Sequence, residues 1–202
     1  MSPSQPLWPY VTPGIRDDLF ERLPGIPMSP REVRVLILAQ LCLMPTSVLW
    51  DVGAGTGTIA VEAALRCPQG RVVAVERDGE VAGLIGRNGA RFGASNIAVV
   101  EGNAPECLAE IQPLPDRICV ESGRPIQAVL EQCWAYLQPG GRLVATTASL
   151  DGLYSVGGTL ASLRALRVEV VQVAVNRLEN RGQQQVFRAI DPIFVFSAEK
   201  VA

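Results

Sequence analysis

The stretch from Leu49 to Ala64, LWDVGAGTGTIAVEAA, constrains this chain more than any other part of it. An apolar run closes on Asp51 and Val52, glycines follow at alternate positions (Gly53, Gly55, Gly57), and helix-forming residues take over at Thr58. Near-continuous apolar runs belong to strands buried on both faces, the condition of a parallel sheet covered by helices. A strand, a glycine turn and a helix N-terminus, in that order, build a ligand site at the carboxyl edge of such a sheet. Glycine lets the backbone approach a ligand closely and tolerates positive φ in the turn.

The rest of the chain repeats the alternation. Residues 1–28 hold Pro3, Pro6, Pro9, Pro13, Pro24 and Pro27 around a DDLFERL stretch, which reads as an irregular arm with one helical turn. Ser29-Pro30-Arg31-Glu32 has capping-box spacing ahead of a helix to about Leu43, with Ser29 as its N-cap. Strands are expected at 48–52, 71–76, 96–102, 116–122 and 142–148, and helices at 58–66, 79–92, 105–111, 125–137 and 154–166. Two further strands, 168–175 and 186–196, flank the polar stretch NRLENRGQQQ. That stretch is too short for a crossover helix, so the two should pair as an antiparallel hairpin, with Pro192 at an edge or a bulge. The expected architecture is a Rossmann-like, doubly wound α/β fold over 29–202: seven strands, mostly parallel, ending in an antiparallel hairpin.

Composition excludes several chemistries. The 202 residues include no histidine, which removes Ser-His-Asp and Cys-His nucleophile pairs, histidine-based zinc sites and the usual near-neutral base. Lysine occurs only at Lys200, so neither a P-loop nor a Schiff-base lysine is available. A formal net charge of −2 gives no bulk support to nucleic-acid binding. The five cysteines are widely spaced in apolar segments and read as reduced core thiols of a cytoplasmic protein. No membrane span, metal site or secretory leader is read.

The turn is not the dinucleotide fingerprint, because the third glycine of G-x-G-x-x-G would fall at Thr58. It reads D-x-G-x-G-x-G, and the next strand ends in Glu76, where a carboxylate suits a ribose diol. Asp51 has a second reading as a helix cap, and Glu76 as a solvated strand end.

Together with EGNAPE after the third strand, PGGRLV before the fifth and the closing hairpin, these motifs resemble the class I S-adenosylmethionine-dependent methyltransferases over nearly the whole chain. The resemblance implies S-adenosyl-L-methionine as cofactor. Its methionine and ribose would be wrapped by Gly53, Ala54, Gly55, Thr56 and Gly57, the ribose hydroxyls held by Glu76, and the adenine bordered by Asn103 and Ala104. Asp51 suits a ligand that carries an ammonium and a sulfonium and no pyrophosphate. The N-P-P-[YF] segment of nitrogen-methylating members is absent after the fourth strand, where the chain reads Val120-Glu121-Ser122-Gly123-Arg124.

A narrower resemblance lies in GIPMSPREVR (25–34), the glycine turn and VVQVAVNRLENRGQQQVFRAIDPIFVFS. These are similar to the cobalamin-pathway enzymes that methylate carbon 15 of a precorrin and decarboxylate its carbon-12 acetate. A tetrapyrrole substrate, a homotetramer and a cofactor contact by Ser29 are implied. Members of that family commonly carry Asp at the position of Asn103, and a turn such as G-G-S-G-G at the position of Glu121 to Pro125. Arg124, Arg177, Arg181 and Arg188 are candidates for the substrate carboxylates, and Tyr154 reads either as helix packing or as a residue that orients the ring. No catalytic acid or base is assigned. Other small-molecule carbon or oxygen acceptors, or a protein carboxylate, remain alternatives.

Overall fold

The apolar run before the glycines forms β1 (Val48–Val52), from which Leu49, Trp50 and Val52 are fully withdrawn from solvent. It lies at the centre of the sheet, pairing in parallel with β2 (Arg71–Glu76) on one side and β4 (Arg117–Val120) on the other. In this computed structural model, which describes residues 6–121 and 123–201, β3 (Ile97–Glu101) extends the sheet beyond β2. β5 (Arg142–Thr147) extends it beyond β4. The start of the N-terminal arm, including Pro3, together with Ser122 and Ala202, lies outside the described residues. β7 (Gln184–Glu199) and β6 (Leu166–Arg181) complete the order β3-β2-β1-β4-β5-β7-β6, with both pairings of β7 antiparallel. Chain order reverses between β1 and β4, so a crevice opens there at the carboxyl ends of the strands.

Two cores flank the sheet. Trp50, Val52, Val73, Val75 and Val120 face α4 (Ile126–Tyr136) and α5 (Leu150–Ser162). Leu49, Val72, Ala74 and Cys119 face α1 (Arg31–Leu41), α2 (Thr58–Ala64) and α3 (Gly79–Phe92). The two-residue period of a strand makes this division, and the helices cover both faces as the apolar runs require. Cys67, Cys119 and Cys133 are buried thiols, and burial pushes Cys67 up to about 11 and Cys133 to about 12. Ile15 and Phe20 of the arm pack on Val61 and Phe92, and the expected helical turn is a 3-10 turn at Asp17–Leu19. No helix among the described residues is long and apolar enough to cross a membrane.

Four local readings change. The N-cap of α1 is Pro30 and no side chain caps it, because the Ser29 hydroxyl is engaged elsewhere. The segment at 105–111 is a 3-10 helix, Glu106–Glu110. α5 starts at Leu150, four residues earlier than its apolar spacing suggests, because Ser149 Oγ accepts from the Gly152 amide at 3.0 Å and nucleates the first turn. The polar stretch between the last two strands is mostly strand: Asn176 to Arg181 pair with Ala189 to Gln184, and the chain reverses at Gly182, φ 60°. Pro192 sits where the register slips between Val173 and Val175, beyond the end of β5, so its missing N–H costs no ladder bond.

Candidate functional site

The glycine turn is pinned to the strand beside it. The amides of Gly53 and Ala54 both donate to the Val75 carbonyl, at 2.9 and 3.0 Å, and Gly57 donates to the Ala54 carbonyl at 2.8 Å. Gly57 has φ 79° and caps α2, and a Cβ there would stand 2.8 Å from Ile85 Cγ2. Its role is to let α2 pack against α3. Gly55 also has positive φ, 51°, but a Cβ there would meet only the Pro27 carbonyl, at 3.7 Å, across open space. One glycine is required by packing, and the other keeps a cleft clear.

That cleft is a cavity of about 740 Å³ at the carboxyl ends of β1, β2, β4 and β5. The turn residues Gly53, Ala54, Gly55 and Thr56 form one wall, and 26–30 form another. Glu76, Asn103 and Ala104 close the side toward β2 and β3; Glu121, Gly123, Arg124, Thr146 and Thr147 close the side toward β4 and β5. Ser29, Gly53, Ala54, Gly55, Thr56, Glu76, Asn103, Ala104 and Arg124 are therefore brought together around one space. Gly57 supports it from behind.

Glu76 is held in place by the backbone. Its Oε2 accepts from the Gly55 amide at 3.0 Å, and its Oε1 from the amides of Arg77 at 2.9 Å and Asp78 at 3.2 Å. It is not a loose, solvated strand end: three amides orient it, and Oε2, which accepts only one of them, retains acceptor capacity. Asn103 Nδ2 is turned to Glu106 Oε2 at 2.7 Å, which leaves the Asn103 and Ala104 backbone as the nearer wall.

Asp51 lies one step below the cavity floor, fully buried, and neither carboxylate oxygen has a hydrogen-bond partner among the described residues. It caps no helix. Burial, then the charge of Glu121, holds its carboxyl well above the usual range; the Ala60 amide opposes this, and the charge of Glu76 adds to it. The Thr56 hydroxyl, at the cavity wall, is likewise buried and unpartnered.

Glu121 was not among the residues singled out from sequence, although it carries the signal that identified Glu76, an acid directly after an apolar strand. Its Oε2 accepts the Ser29 hydroxyl. Burial raises its carboxyl, while the Ser29 hydrogen bond and the charge of Arg34 oppose that. The Ser29 carbonyl in turn accepts from Arg34 Nη1 at 2.6 Å.

The hairpin candidates lie apart. Arg177 is bound to Asp17 at 2.8 Å and Glu32 at 2.5 Å, which ties the hairpin to the arm and α1. Arg188 faces Glu179 at 3.5 Å, and Arg181 is exposed at the hairpin end. Tyr154 is 73 % exposed on α5, so it packs no helix, and it does not reach the cavity wall.

A family model described as the precorrin methyltransferase domain matches residues 20–200. The chain belongs to the precorrin methyltransferase family. Among relatives of this family, a probable cobalt-precorrin-6B C(15)-methyltransferase (decarboxylating) of Pyrobaculum calidifontis is 41% identical over 95% of this chain and 98% of its own. The cobalt-precorrin-6B C(15)-methyltransferase (decarboxylating) of Salmonella typhimurium is 36% identical over 92% of this chain and 96% of its own. The crystal structure of precorrin-6Y C5,15-methyltransferase from Geobacter metallireducens superposes with a TM-score of 0.87 at 31% identity, covering 95% of this chain and all of that one. The sheet order and terminal hairpin of this precorrin methyltransferase are those of the class I fold.

Proposed function

We propose that this chain methylates carbon 15 of a precorrin or cobalt-precorrin with S-adenosylmethionine, and releases the carboxyl of the carbon-12 acetate as carbon dioxide. The observation that carries the reading is the 41% identity, spread over 95% of the chain, to a relative named for that reaction.

The cavity fits the cofactor. It has a backbone-oriented carboxylate in Glu76 for the ribose diol and an unpartnered Thr56 hydroxyl at its wall. Beneath its floor lies a buried carboxyl, Asp51, suited to a ligand that brings positive charge. When bound, S-adenosylmethionine supplies an electrophilic methyl group on a sulfonium. The residues of this chain have the task of alignment: the amides of 53–57 shape the cleft, Asn103 and Ala104 border the adenine end, and Ser29 borders the other. Positioning alone lowers a barrier of this kind by roughly 7–11 kcal/mol, so a chain without histidine is not handicapped. Arg124 at the mouth is the guanidinium placed for a substrate carboxylate, with its planar fork. Arg177 and Arg181, on the hairpin, are outside this cavity and would meet the substrate only at its periphery. A cytoplasmic homotetramer belongs to the same reading: a two-stranded ribbon as long as β6–β7 is marginal when nothing covers it.

Incubation with cobalt-precorrin-6B and S-adenosylmethionine, followed by mass analysis, tests the proposal. The expected product has gained one methyl group and lost one carbon dioxide. Transfer to a small-molecule hydroxyl or a protein carboxylate, with the precorrins untouched, overturns it.

A further inference from the structure

Glu121 directly follows β4, and the sheet register gives it a defined place. Ala74 and Cys119 lie in the core beneath α1 and α2, and both are register partners of Asp51. Because alternate residues share a face, Glu76, Asp51 and Glu121 all project to that side from neighbouring strands. Val120 pairs with Val52, and the Glu121 amide donates to the Val52 carbonyl at 3.1 Å, so Glu121 stands level with Gly53 at the cavity wall. Asp51 is one side-chain step deeper.

The three carboxylates are not equivalent. Glu76 is committed to backbone amides. Glu121 receives one hydroxyl, from Ser29. Asp51 has no side-chain donor among the described residues, only the nearby Ala60 amide, and is 0 % exposed. Arg34 is the cation whose charge bears on Glu121, yet its own hydrogen bonds go to Glu62, Asp17 and the carbonyls of Ser29 and Ile15. Native structures rarely leave a buried carboxyl without a donor. Glu121 lines the cavity with Asp51 behind it, so the missing positive charge is one a ligand brings.

We propose that Glu121, tethered by Ser29 above the buried Asp51, binds the ammonium group of the cofactor's amino-acid end. The assignment rests on the methyltransferase reading. An ammonium offers three N–H donors, which satisfy carboxylates directly; a sulfonium offers none.

Titration calorimetry on the wild type and on Glu121→Gln, with three ligands, tests it. S-adenosylmethionine and S-adenosylhomocysteine carry the ammonium, and 5′-methylthioadenosine lacks the whole amino-acid end. The substitution should weaken the first two alike, by roughly ten- to hundredfold, and leave methylthioadenosine within about twofold. Equal losses for all three ligands would mark a purely structural residue and overturn the proposal, as would no loss for any. A loss confined to S-adenosylmethionine would place the carboxylate at the sulfonium and overturn it as well. If Glu121→Gln does not fold, Ser29→Ala carries the same comparison: a smaller loss restricted to the two amino-acid-bearing ligands is expected, and no loss overturns the assignment. A wild-type protein that binds none of the three fails the methyltransferase reading itself, so the two failures are separable.

Discussion

Arg34 Nε donates to Glu62 Oε1 at 3.0 Å, and both side chains are completely withdrawn from solvent. The guanidinium also binds Asp17 at 2.6 Å and lies over the Phe20 ring, 5.2 Å from its centroid. Glu62 Oε2 accepts the Gly14 amide at 2.6 Å. The pair thus fastens the N-terminal arm to α1 and α2, and through the Ser29 carbonyl it holds the wall of the cavity.

Removing one partner strands the other charge. Arg34→Met should cost about 3–5 kcal/mol, as for other broken buried pairs. Thermal unfolding should record this as a fall of roughly 6–20 °C for a domain of this size. The double variant Arg34→Met/Glu62→Gln should recover part of the loss, which a pair contributing independent packing terms would not show.

Glu76 is oriented by three amides before any ligand arrives, so its contribution to ribose binding carries little reorganisation cost. Glu76→Ala should weaken S-adenosylhomocysteine by about tenfold or more, the scale of one charged hydrogen-bond pair. Calorimetric titration reads this directly. Unchanged affinity would remove Glu76 from the site.

The two glycines with opposite surroundings should fail differently. Gly57→Ala meets Ile85 and takes on left-handed strain, so its stability should fall by more than the ~1–2 kcal/mol of strain alone. Gly55→Ala has room for its Cβ and should show only that strain, while ligand affinity falls because the methyl enters the cleft. Urea unfolding and titration on both variants separate stability from binding.

Asp51 and Glu121 are held above their ordinary values of 3.8 and 4.5, mainly by burial. The folded protein therefore keeps protons that the unfolded chain has already lost. Their contribution to stability is fully present below the unfolded values and is lost as pH rises through the folded ones. Asp51→Asn should flatten the urea-unfolding stability profile in the range above the ordinary carboxyl value of 3.8. A cationic ligand favours the ionised carboxylates, so S-adenosylhomocysteine should bind more tightly as pH rises through the same window, and less steeply so in the variant.

The sequence by itself determined the βα alternation and the cleft. β2 at Arg71–Glu76 and α3 at Gly79–Phe92 fall at the residues where apolar spacing places them, because burial on both faces of a sheet and on one face of a helix is written locally in residue order. Gly53, Gly55 and Glu76 were legible for the same reason: a turn and a strand end need only their neighbours. The hairpin's full length was not legible, since an exposed ribbon buries too little to impose an alternating pattern, and its polar residues look like loop. Ser29 read as a cap because only adjacent residues were in view. Its partner Glu121 is 92 positions away, and the packing of α1 against β4 is what brings them together. Only the tertiary structure decided which carboxylates share the cavity, because a contact between distant residues depends on strand order and register, which no local stretch encodes.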